Sequence, residues 1–210
     1  TAAAIALARA DGANSASAVL RKIISFAPAS FDNHQLRLDA IRAITLAFTR
    51  GGEPTSDLKV DLITWLDNIY PARTPEENRD LSALMAFLQA PSAVEKGMAL
   101  LVEASGQEEQ IGYALNLRHL KHGWTPELRE TYFQWFVLSG SYQGGARLGN
   151  YLNDIKTHAI AAVPLEDITP ALTALIETPP ESNTPQFTLE PRDYVKMWTM
   201  ADVRPLLGAG

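Results

Sequence analysis

The sequence predicts an all-α protein whose helices pair and stack into an α-solenoid, and three observations support this fold class. Apolar residues recur at helical spacing from Ala2 to about Glu177, and no strand-like alternation lasts more than a few residues. Helix-start motifs alternate with Gly and Pro stop signals along the same stretch. The connections between the predicted helices are short, which makes successive helices antiparallel neighbours.

Residues 56–70 show the helical periodicity most clearly. Their apolar positions follow one face of a helix, while most of the charged residues fall elsewhere. The apolar positions are Leu58, Leu62, Trp65, Leu66 and Ile69. Residues 33–50 repeat this pattern, so we expect both segments to form half-buried helices.

Helix starts are marked by Thr or Ser followed by Pro or Glu. Thr74 and Thr125 each precede a Pro, the arrangement of an N-cap with Pro at the first helical position. Ser92–Glu95 and Ser105–Glu108 match the S-x-x-E capping box, in which the two side chains satisfy free backbone N–H groups. Asp32–Gln35 is a weaker version. The stop signals between them are Gly51-Gly52, Pro71, Pro91, Gly106, Gly123 and Gly144-Gly145.

These signals predict about ten helices. They lie at residues 2–11, 15–27, 33–50, 56–70, 75–89, 92–104, 106–121, 126–139, 146–162 and 166–177. Chained helix pairs without strands favour an α-α superhelix of the HEAT or armadillo type, and an irregular compact helical bundle is the alternative. We assign residues 1–178 to this domain. Residues 179–210 begin with a Pro-rich, polar stretch, which predicts an extended tail or a linker to a further domain.

Composition excludes several classes of function. The formal net charge of -6 and the lack of a Lys/Arg run are unfavourable to nucleic-acid binding. The chain contains no Cys, which excludes disulfides, thiolate metal sites and covalently attached c-type haem within this segment. No apolar run is long enough to span a bilayer, and no export signal opens the chain. Since the chain starts at Thr1 already in helical pattern, we interpret it as a piece of a longer protein.

The stretch at residues 118–127, RHLKHGWTPE, is the first candidate site. His119 and His122 could share a helix face and bind a metal ion with Glu127, but a zinc site takes three or four convergent ligands. A structural corner accounts for more of the stretch. The helix would end at His122, Gly123 would take the left-handed position after it, and an apolar residue would pack back. The basic residues would then lie in a last turn, where the helix dipole favours cations. A polar binding surface is the remaining reading.

The Gly-rich stretch at residues 140–150, GSYQGGARLGN, is the second candidate site. Gly-rich loops that open a helix can bind phosphate through backbone N–H groups. This stretch lacks the Lys-Ser/Thr ending of a P-loop and the strand that precedes one. We expect a helix-connecting loop, with Arg147 pointing at a partner or an anion.

Two further groups are interpreted as structural. The acidic pairs Glu76-Glu77 and Glu108-Glu109 fall in first turns, where negative charge stabilises a helix, and we expect them to be exposed. General acid/base catalysis instead needs carboxylates in a shared cleft. The aromatic residues of 132–136 have helical spacing and are expected in the core, with a base-stacking platform as the alternative.

Three segments in this order resemble one family, the HEAT-like helical region of large planctomycete-type haem-binding multidomain proteins. The segments are NRDLSALMAFLQAPSAVEKGMALL, QEEQIGYALNLRHLKHGWTPELRETYFQWF and YQGGARLGNYLNDIKTHAIAAV. The tail YVKMWTMADV is similar to the linker that precedes a cytochrome c domain in such proteins. The resemblance covers about Asn78 to Val203.

The resemblance implies a β-propeller like that of sugar dehydrogenases before the helical region and a haem domain after it. It also implies an exported parent, periplasmic or otherwise. Because this segment has no CxxCH and no propeller-like pattern, any redox chemistry would belong to the flanking domains. The resemblance carries no catalytic residue over to this chain.

We therefore predict a non-catalytic scaffold for protein-protein or inter-domain docking within an exported, redox-associated protein. We expect no catalytic residue, cofactor or metal in this segment, and partners that are proteins or neighbouring domains. The predicted interaction surface comprises Arg118, His122, Tyr142, Arg147 and Trp198. A nucleic-acid-binding helical-repeat protein is the alternative function, and a metal site at His119, His122 and Glu127 is a third.

Overall fold

The computed structural model describes Ala6, residues 12–31 and residues 33–181. These residues form nine α-helices and three short 3₁₀ turns without any strand, which confirms the all-α class. The helices are α1 (Gly12–Ile24), α2 (His34–Gly51), α3 (Ser56–Asp67), α4 (Pro75–Phe87), α5 (Ala93–Glu103), α6 (Gln107–Leu117), α7 (Pro126–Leu138), α8 (Leu148–Ala161) and α9 (Pro170–Glu177). The 3₁₀ turns are Pro28–Ser30, Ser139–Ser141 and Leu165–Asp167.

The described part of the chain contains nine helices where the sequence predicted about ten. The first predicted helix, 2–11, lies outside the described residues except for Ala6, which is helical. Residues 182–210 of the predicted tail also lie outside them. Two predicted boundaries are wrong by four residues. The helix predicted at 106–121 ends at Leu117, and the one predicted at 166–177 begins at Pro170.

Threonine N-caps determine where three helices begin. The Thr74 hydroxyl accepts a hydrogen bond from the backbone N–H of Glu77, and Thr125 does the same for Leu128. Both caps precede a Pro at the first helical position, as predicted. Thr169 caps α9 in the same way, and its hydroxyl lies 3.0 Å from the backbone nitrogen of Leu172.

The two predicted S-x-x-E capping boxes are wrong. Ser92 has helical backbone angles and makes no capping hydrogen bond; its hydroxyl instead donates to the carboxylate of Asp67 at the end of α3. The residue that caps α6 is Gly106, one position after Ser105, and it offers no side chain. In both cases a tertiary contact or a shifted boundary replaces the local motif.

Packing between the helices is concentrated on neighbours in the chain. The principal contacts of the described helices join members that are one or two positions apart. In one layer α2, α4, α6 and α8 contact one another in that order; in the other α1 contacts α3, and α7 contacts both α5 and α9. Consecutive helices such as α1 and α2 or α5 and α6 pack across the two layers. Among the described helices, the larger contacts therefore join near neighbours in the chain.

One hydrophobic cluster runs between the layers from Val19 in α1 to Leu172 in α9. The predicted stripe of α3 faces it, with Leu58 and Leu62 fully buried. The aromatic residues of α7 lie in the same core, and the rings of Tyr132 and Phe136 are 5.0 Å apart. Burying one such large apolar side chain contributes about 1.5–3 kcal/mol, so the shared core is the main source of stability.

The expectation that Glu77 is exposed is wrong. Its side chain is fully buried between α2 and α4, where one carboxylate oxygen accepts hydrogen bonds from Arg37 Nε at 2.6 Å and from His34 Nδ1 at 3.0 Å. The other oxygen, Oε2, is buried without a hydrogen-bond partner. Burial by itself would raise the pKa of Glu77, but the hydrogen bonds and charges of Arg37 and His34 outweigh it and lower the pKa.

Candidate functional site

The corner between α6 and α7, residues 118–125, depends on one glycine. Gly123 has a φ of 88°, in the left-handed region, as predicted. A Cβ at this position would lie 2.7 Å from the carbonyl oxygen of Pro91, in the turn between α4 and α5. Gly123 is therefore required both by its backbone conformation and by the close approach of a second turn.

Trp124 attaches the corner to the core. Its indole N–H donates to the carbonyl oxygen of Leu120 at 2.8 Å, and its ring lies 5.2 Å from that of Tyr132. The guanidinium of Arg129 lies over the indole of Trp124, 5.2 Å from the ring centroid, and also donates to Asp167. The predicted packing of an apolar residue after Gly123 is confirmed.

Gln89 joins the turn after α4 to the same corner. It takes the left-handed position after the helix, with a φ of 53°, where Gly is the usual residue. Its side-chain amide donates to the carbonyl oxygen of His119 at 2.9 Å and accepts from the backbone N–H of Lys121 at 3.1 Å. The backbone of the corner is thus fixed from outside by a residue about 30 positions earlier in the chain.

Basic side chains are concentrated at this corner. The prediction that they lie in the last turn of α6 is wrong, because the helix ends at Leu117 and its last turn contains no basic residue. Lys121 and His122 are exposed in the turn, and Arg118 at the C-cap is partly exposed. None of the ion pairs formed by the described residues includes these three side chains.

The last turn of α8 brings a further histidine to this corner. His158 lies close enough to His119 for its charge to lower the pKa of His119, after burial and together with Arg118. The Nε2 of His119 accepts a hydrogen bond from Arg118 Nε at 3.0 Å.

The metal reading of the corner finds no support in its geometry. Within the described residues no three His, Asp or Glu side chains lie close enough together to hold a metal ion. The carboxylate of Glu127 faces its own backbone N–H and the hydroxyl of Thr125, which lower its pKa. This arrangement makes Glu127 part of the helix cap.

The Gly-rich loop between α7 and α8 forms the second candidate site. The hydroxyl of Tyr142 donates to the amide oxygen of Gln110 in α6, and the indole N–H of Trp135 donates to both groups. Gln107 makes a two-way bond to the loop, because its amide donates to the carbonyl oxygen of Gln143 and accepts from the N–H of the same residue. Tyr142 is thus held in place by contacts within the fold.

A half-open cavity of about 250 Å³ lies beside this loop, along one face of α8. Its polar wall includes Lys156, whose ammonium donates to the carbonyl oxygens of Ile176 and Thr178 at the end of α9. Burial lowers the pKa of Lys156. The hydrogen bonds explain this lysine as an anchor for α9, while Arg147 is exposed on the loop before α8.

The structure divides the predicted interaction surface into two. Tyr142 contacts Gln110 in the first turn of α6, whereas Arg118 lies eight residues farther, about 12 Å along a helix axis. Arg118 and His122 therefore share one end of the layer, and Tyr142 and Arg147 lie toward the other. Trp198 lies outside the described residues.

Comparison with protein-family models, with curated proteins and with solved structures returned no match. None of the described helices is both long and apolar enough to cross a membrane.

Sequence reasoning missed the residues that build the corner from other elements. Gln89 carries a weak signal, since Leu88–Ala90 lies where a helix must stop before Pro91, but nothing local shows what its side chain binds. Arg129 and His158 look like ordinary helical surface residues. Only the packing of α8 and of residues 165–167 against α7 brings them to the corner.

Proposed function

We propose that this chain is a non-catalytic helical scaffold of the HEAT-like superhelical type that docks a partner protein or neighbouring domains. The observation that supports this most is the contact pattern of the helices. Two layers in which the described helices mainly contact their near neighbours are typical of solenoids, which expose extended surfaces for binding.

The polar side chains support the same proposal. Many of the polar groups that the fold buries bind other turns or helix ends instead of converging on a cleft: Asn78 bonds both backbone groups of Ala72, and Lys96 bonds the carbonyl oxygen of Tyr70. A catalytic site would instead place titratable groups around a shared pocket. Structural bonding of this kind gives a rigid surface at small entropic cost to a partner.

We place the chain in an exported, redox-associated parent, on the strength of the resemblance to haem-binding dehydrogenase-like proteins. There it would hold a propeller domain and a cytochrome c domain in a fixed relation, and redox chemistry would belong to those domains. We expect a CxxCH motif soon after Gly210 in the parent sequence. Its absence there would remove this context and leave only the scaffold.

Two measurements test the function. The purified chain is assayed with sugars and polyols and an artificial electron acceptor, and no turnover is expected; robust turnover would show the scaffold reading to be wrong. Calorimetric titration with the separately produced downstream domain of the parent should show saturable binding. Its absence, together with absent binding to the upstream domain, would contradict docking.

A further inference from the structure

The cavity beside the Gly-rich loop has a single charged side chain in its wall. Lys156 is the only charged residue among the described residues that line it. The apolar part of the lining comes from Phe136 in α7, from Leu148 and Leu152 in α8, and from Pro180. Pockets for small molecules are typically concave and mostly apolar, with a few polar groups that orient the ligand. The cavity therefore offers one positive charge beside an apolar surface.

The ammonium of Lys156 has a hydrogen-bond donor left for a ligand. An ammonium carries three N–H groups, and the carbonyl oxygens of Ile176 and Thr178 accept two of them at 2.8 and 3.4 Å. Burial lowers the pKa of Lys156, because the charged form is poorly solvated there. An anion beside the ammonium would favour the charged form and use the third N–H group.

Gly149 keeps the middle of the cavity open. Positions 149, 152, 153 and 156 are three or four residues apart, so they share one face of α8, and all four line the cavity. Neither packing nor backbone conformation requires a glycine at position 149, because a Cβ there would meet no atom within 4 Å and its φ is not positive. Gly is also a poor helix former. The missing side chain thus leaves space for a ligand where another residue would fill part of it.

We propose that this cavity binds a small monocarboxylate with an apolar body, such as an aryl carboxylate. The carboxylate accepts a charge-assisted hydrogen bond from Lys156, and the apolar body lies against Phe136, Leu148 and Leu152. One ammonium balances a single negative charge. The volume of about 250 Å³ is below the roughly 300–1,000 Å³ of pockets for drug-sized ligands, which favours a small ligand. The site is additional to docking by the proposed scaffold, and neither depends on the other.

Binding is measured on the full chain with phenylacetate and with its neutral isostere phenylacetamide, through the backbone amide chemical shifts of an isotope-labelled sample. We expect saturable shifts at Gly145, Gly149 and Asn153, which line the cavity. The affinity for phenylacetate should be about tenfold higher than for phenylacetamide, because the amide loses the charge-assisted hydrogen bond to Lys156. Binding of neither probe, or equal affinity for both, would overturn the inference.

A variant that fills the cavity tests where the probe binds. Gly149→Leu puts a side chain into open space, so it should abolish saturable binding of phenylacetate without lowering the thermal stability. Gly112→Leu is the matched control. Gly112 is also a helical glycine at which a Cβ meets nothing, but it lies in α6 outside the cavity, and this variant should bind as the unmodified chain does. Unchanged affinity in Gly149→Leu, or equal loss in both variants, would contradict the site.

Lys156→Met tests the charge. It keeps an apolar side chain and removes the ammonium, so the preference for phenylacetate over phenylacetamide should disappear while the apolar contacts still bind both probes. A lysine that only anchors α9 would not affect this ratio, and a retained preference would exclude Lys156 as the anion partner. Because Met cannot bond Ile176 or Thr178, thermal unfolding shows whether α9 is loosened, and Gly149→Leu tests the site with that anchor intact.

Discussion

Glu77 shows how a single buried charge joins two helices. Its carboxylate accepts hydrogen bonds from Arg37 and His34 of α2, and its backbone N–H donates to the hydroxyl of Thr74 at the start of α4. A hydrogen bond to a charged group contributes about 1.5–3 kcal/mol, so these contacts help to hold the two helices together. The other carboxylate oxygen, Oε2, has no hydrogen-bond partner among the described residues.

We expect Glu77→Gln to destabilise the fold by about 1–3 kcal/mol at neutral pH, because the buried side chain would lose the charge-assisted hydrogen bonds that it accepts from Arg37 and His34. Equilibrium unfolding in urea measures the change. The neighbouring exposed residue gives the matched control, since Glu76→Gln should alter stability by less than about 0.5 kcal/mol. Equal effects of the two variants would mean that the buried pair contributes nothing specific.

The difference between the unmodified chain and Glu77→Gln should also depend on pH. The pKa of Glu77 is lowered in the folded state, so the charged carboxylate stabilises the fold above its unfolded pKa of about 4.3. This stabilisation is lost as pH falls through the lower pKa of the folded state. The two unfolding free energies should therefore converge in acid, and a constant difference would contradict the assignment.

Variants of Gln89 test whether its side-chain hydrogen bonds compensate for its unfavourable left-handed backbone conformation. Gln89→Ala removes the bonds to the corner and keeps the positive φ, so we expect a loss of about 1–3 kcal/mol. Gln89→Gly loses the same bonds but relieves the left-handed conformation, which restores about 1 kcal/mol. Thermal unfolding should rank the native chain above Gly and Gly above Ala. A Gly variant more stable than the native chain would show that the bonds contribute little.

At the scale of elements, tight connections decide how helices meet. The corner at 118–125 is pressed against the turn at Pro91, and residues 179–181 cross the 3₁₀ turn after α7. The backbone N–H of Glu181 donates to the carbonyl oxygen of Val137 at 2.9 Å there. In both places a glycine provides the space that a Cβ would occupy.

Gly123→Ala should destabilise the protein by about 1–3 kcal/mol, because Ala is strained at a φ of 88° and would collide with Pro91. Gly112→Ala is a control of opposite sign. A Cβ at Gly112, inside α6, meets nothing, so helix propensity should stabilise the fold by about 0.5–1 kcal/mol. Both changes are read by denaturant unfolding, and a neutral Gly123→Ala would contradict the close packing of the corner.

Gly140→Ala should release the segment that follows α9 without unfolding the core. A Cβ there would lie 2.4 Å from Pro180 Cβ and 2.5 Å from the carbonyl oxygen of Glu181. We expect the amide of Glu181 to lose protection in hydrogen exchange, while core amides keep theirs. Gly145→Ala, where a Cβ meets nothing, should leave Glu181 protected. Unchanged protection in Gly140→Ala would mean that the crossing segment adapts.

For the whole molecule, the layered packing predicts that stability is local. Each helix mainly contacts helices one or two positions away, so a destabilising substitution at one end should weaken the nearby helices more than the distant ones. A compact bundle with contacts between distant helices would instead unfold as one unit. This distinction is also the one between the superhelix proposed above and the irregular bundle.

Leu172→Ala tests local stability, because Leu172 is the buried anchor of α9 on α7. We expect a loss of about 2–4 kcal/mol, with amides of α8 and α9 exchanging faster and those of α1–α4 unchanged in native-state hydrogen exchange. Leu165→Ala removes an exposed leucine and should change neither the stability nor the amide exchange rates. Uniform loss of protection across all helices would support a single cooperative bundle.

The sequence predicted the helices well where periodicity and caps agree. Leu58 and Leu62 are buried as expected, and Thr74 and Thr125 begin helices with the following Pro. It failed where a distant element intervenes: the hydroxyl of Ser92 binds Asp67 instead of its own helix. The sequence also predicted the end of α6 four residues too late. The stretch RHLK contains good helix formers, but its backbone bonds to the side chain of Gln89 instead, and no local pattern shows this contact.

The sequence by itself determined the helical class and the Thr-Pro helix starts, because these depend on spacing and on short-range backbone bonding. Tertiary structure decided which side chains meet. It buried Glu77 with Arg37, brought His158 to the corner of Arg118, and separated Tyr142 from His122 at opposite ends of a helix. These contacts depend on how helices far apart in the chain pack, and a single sequence does not encode that packing in any local pattern.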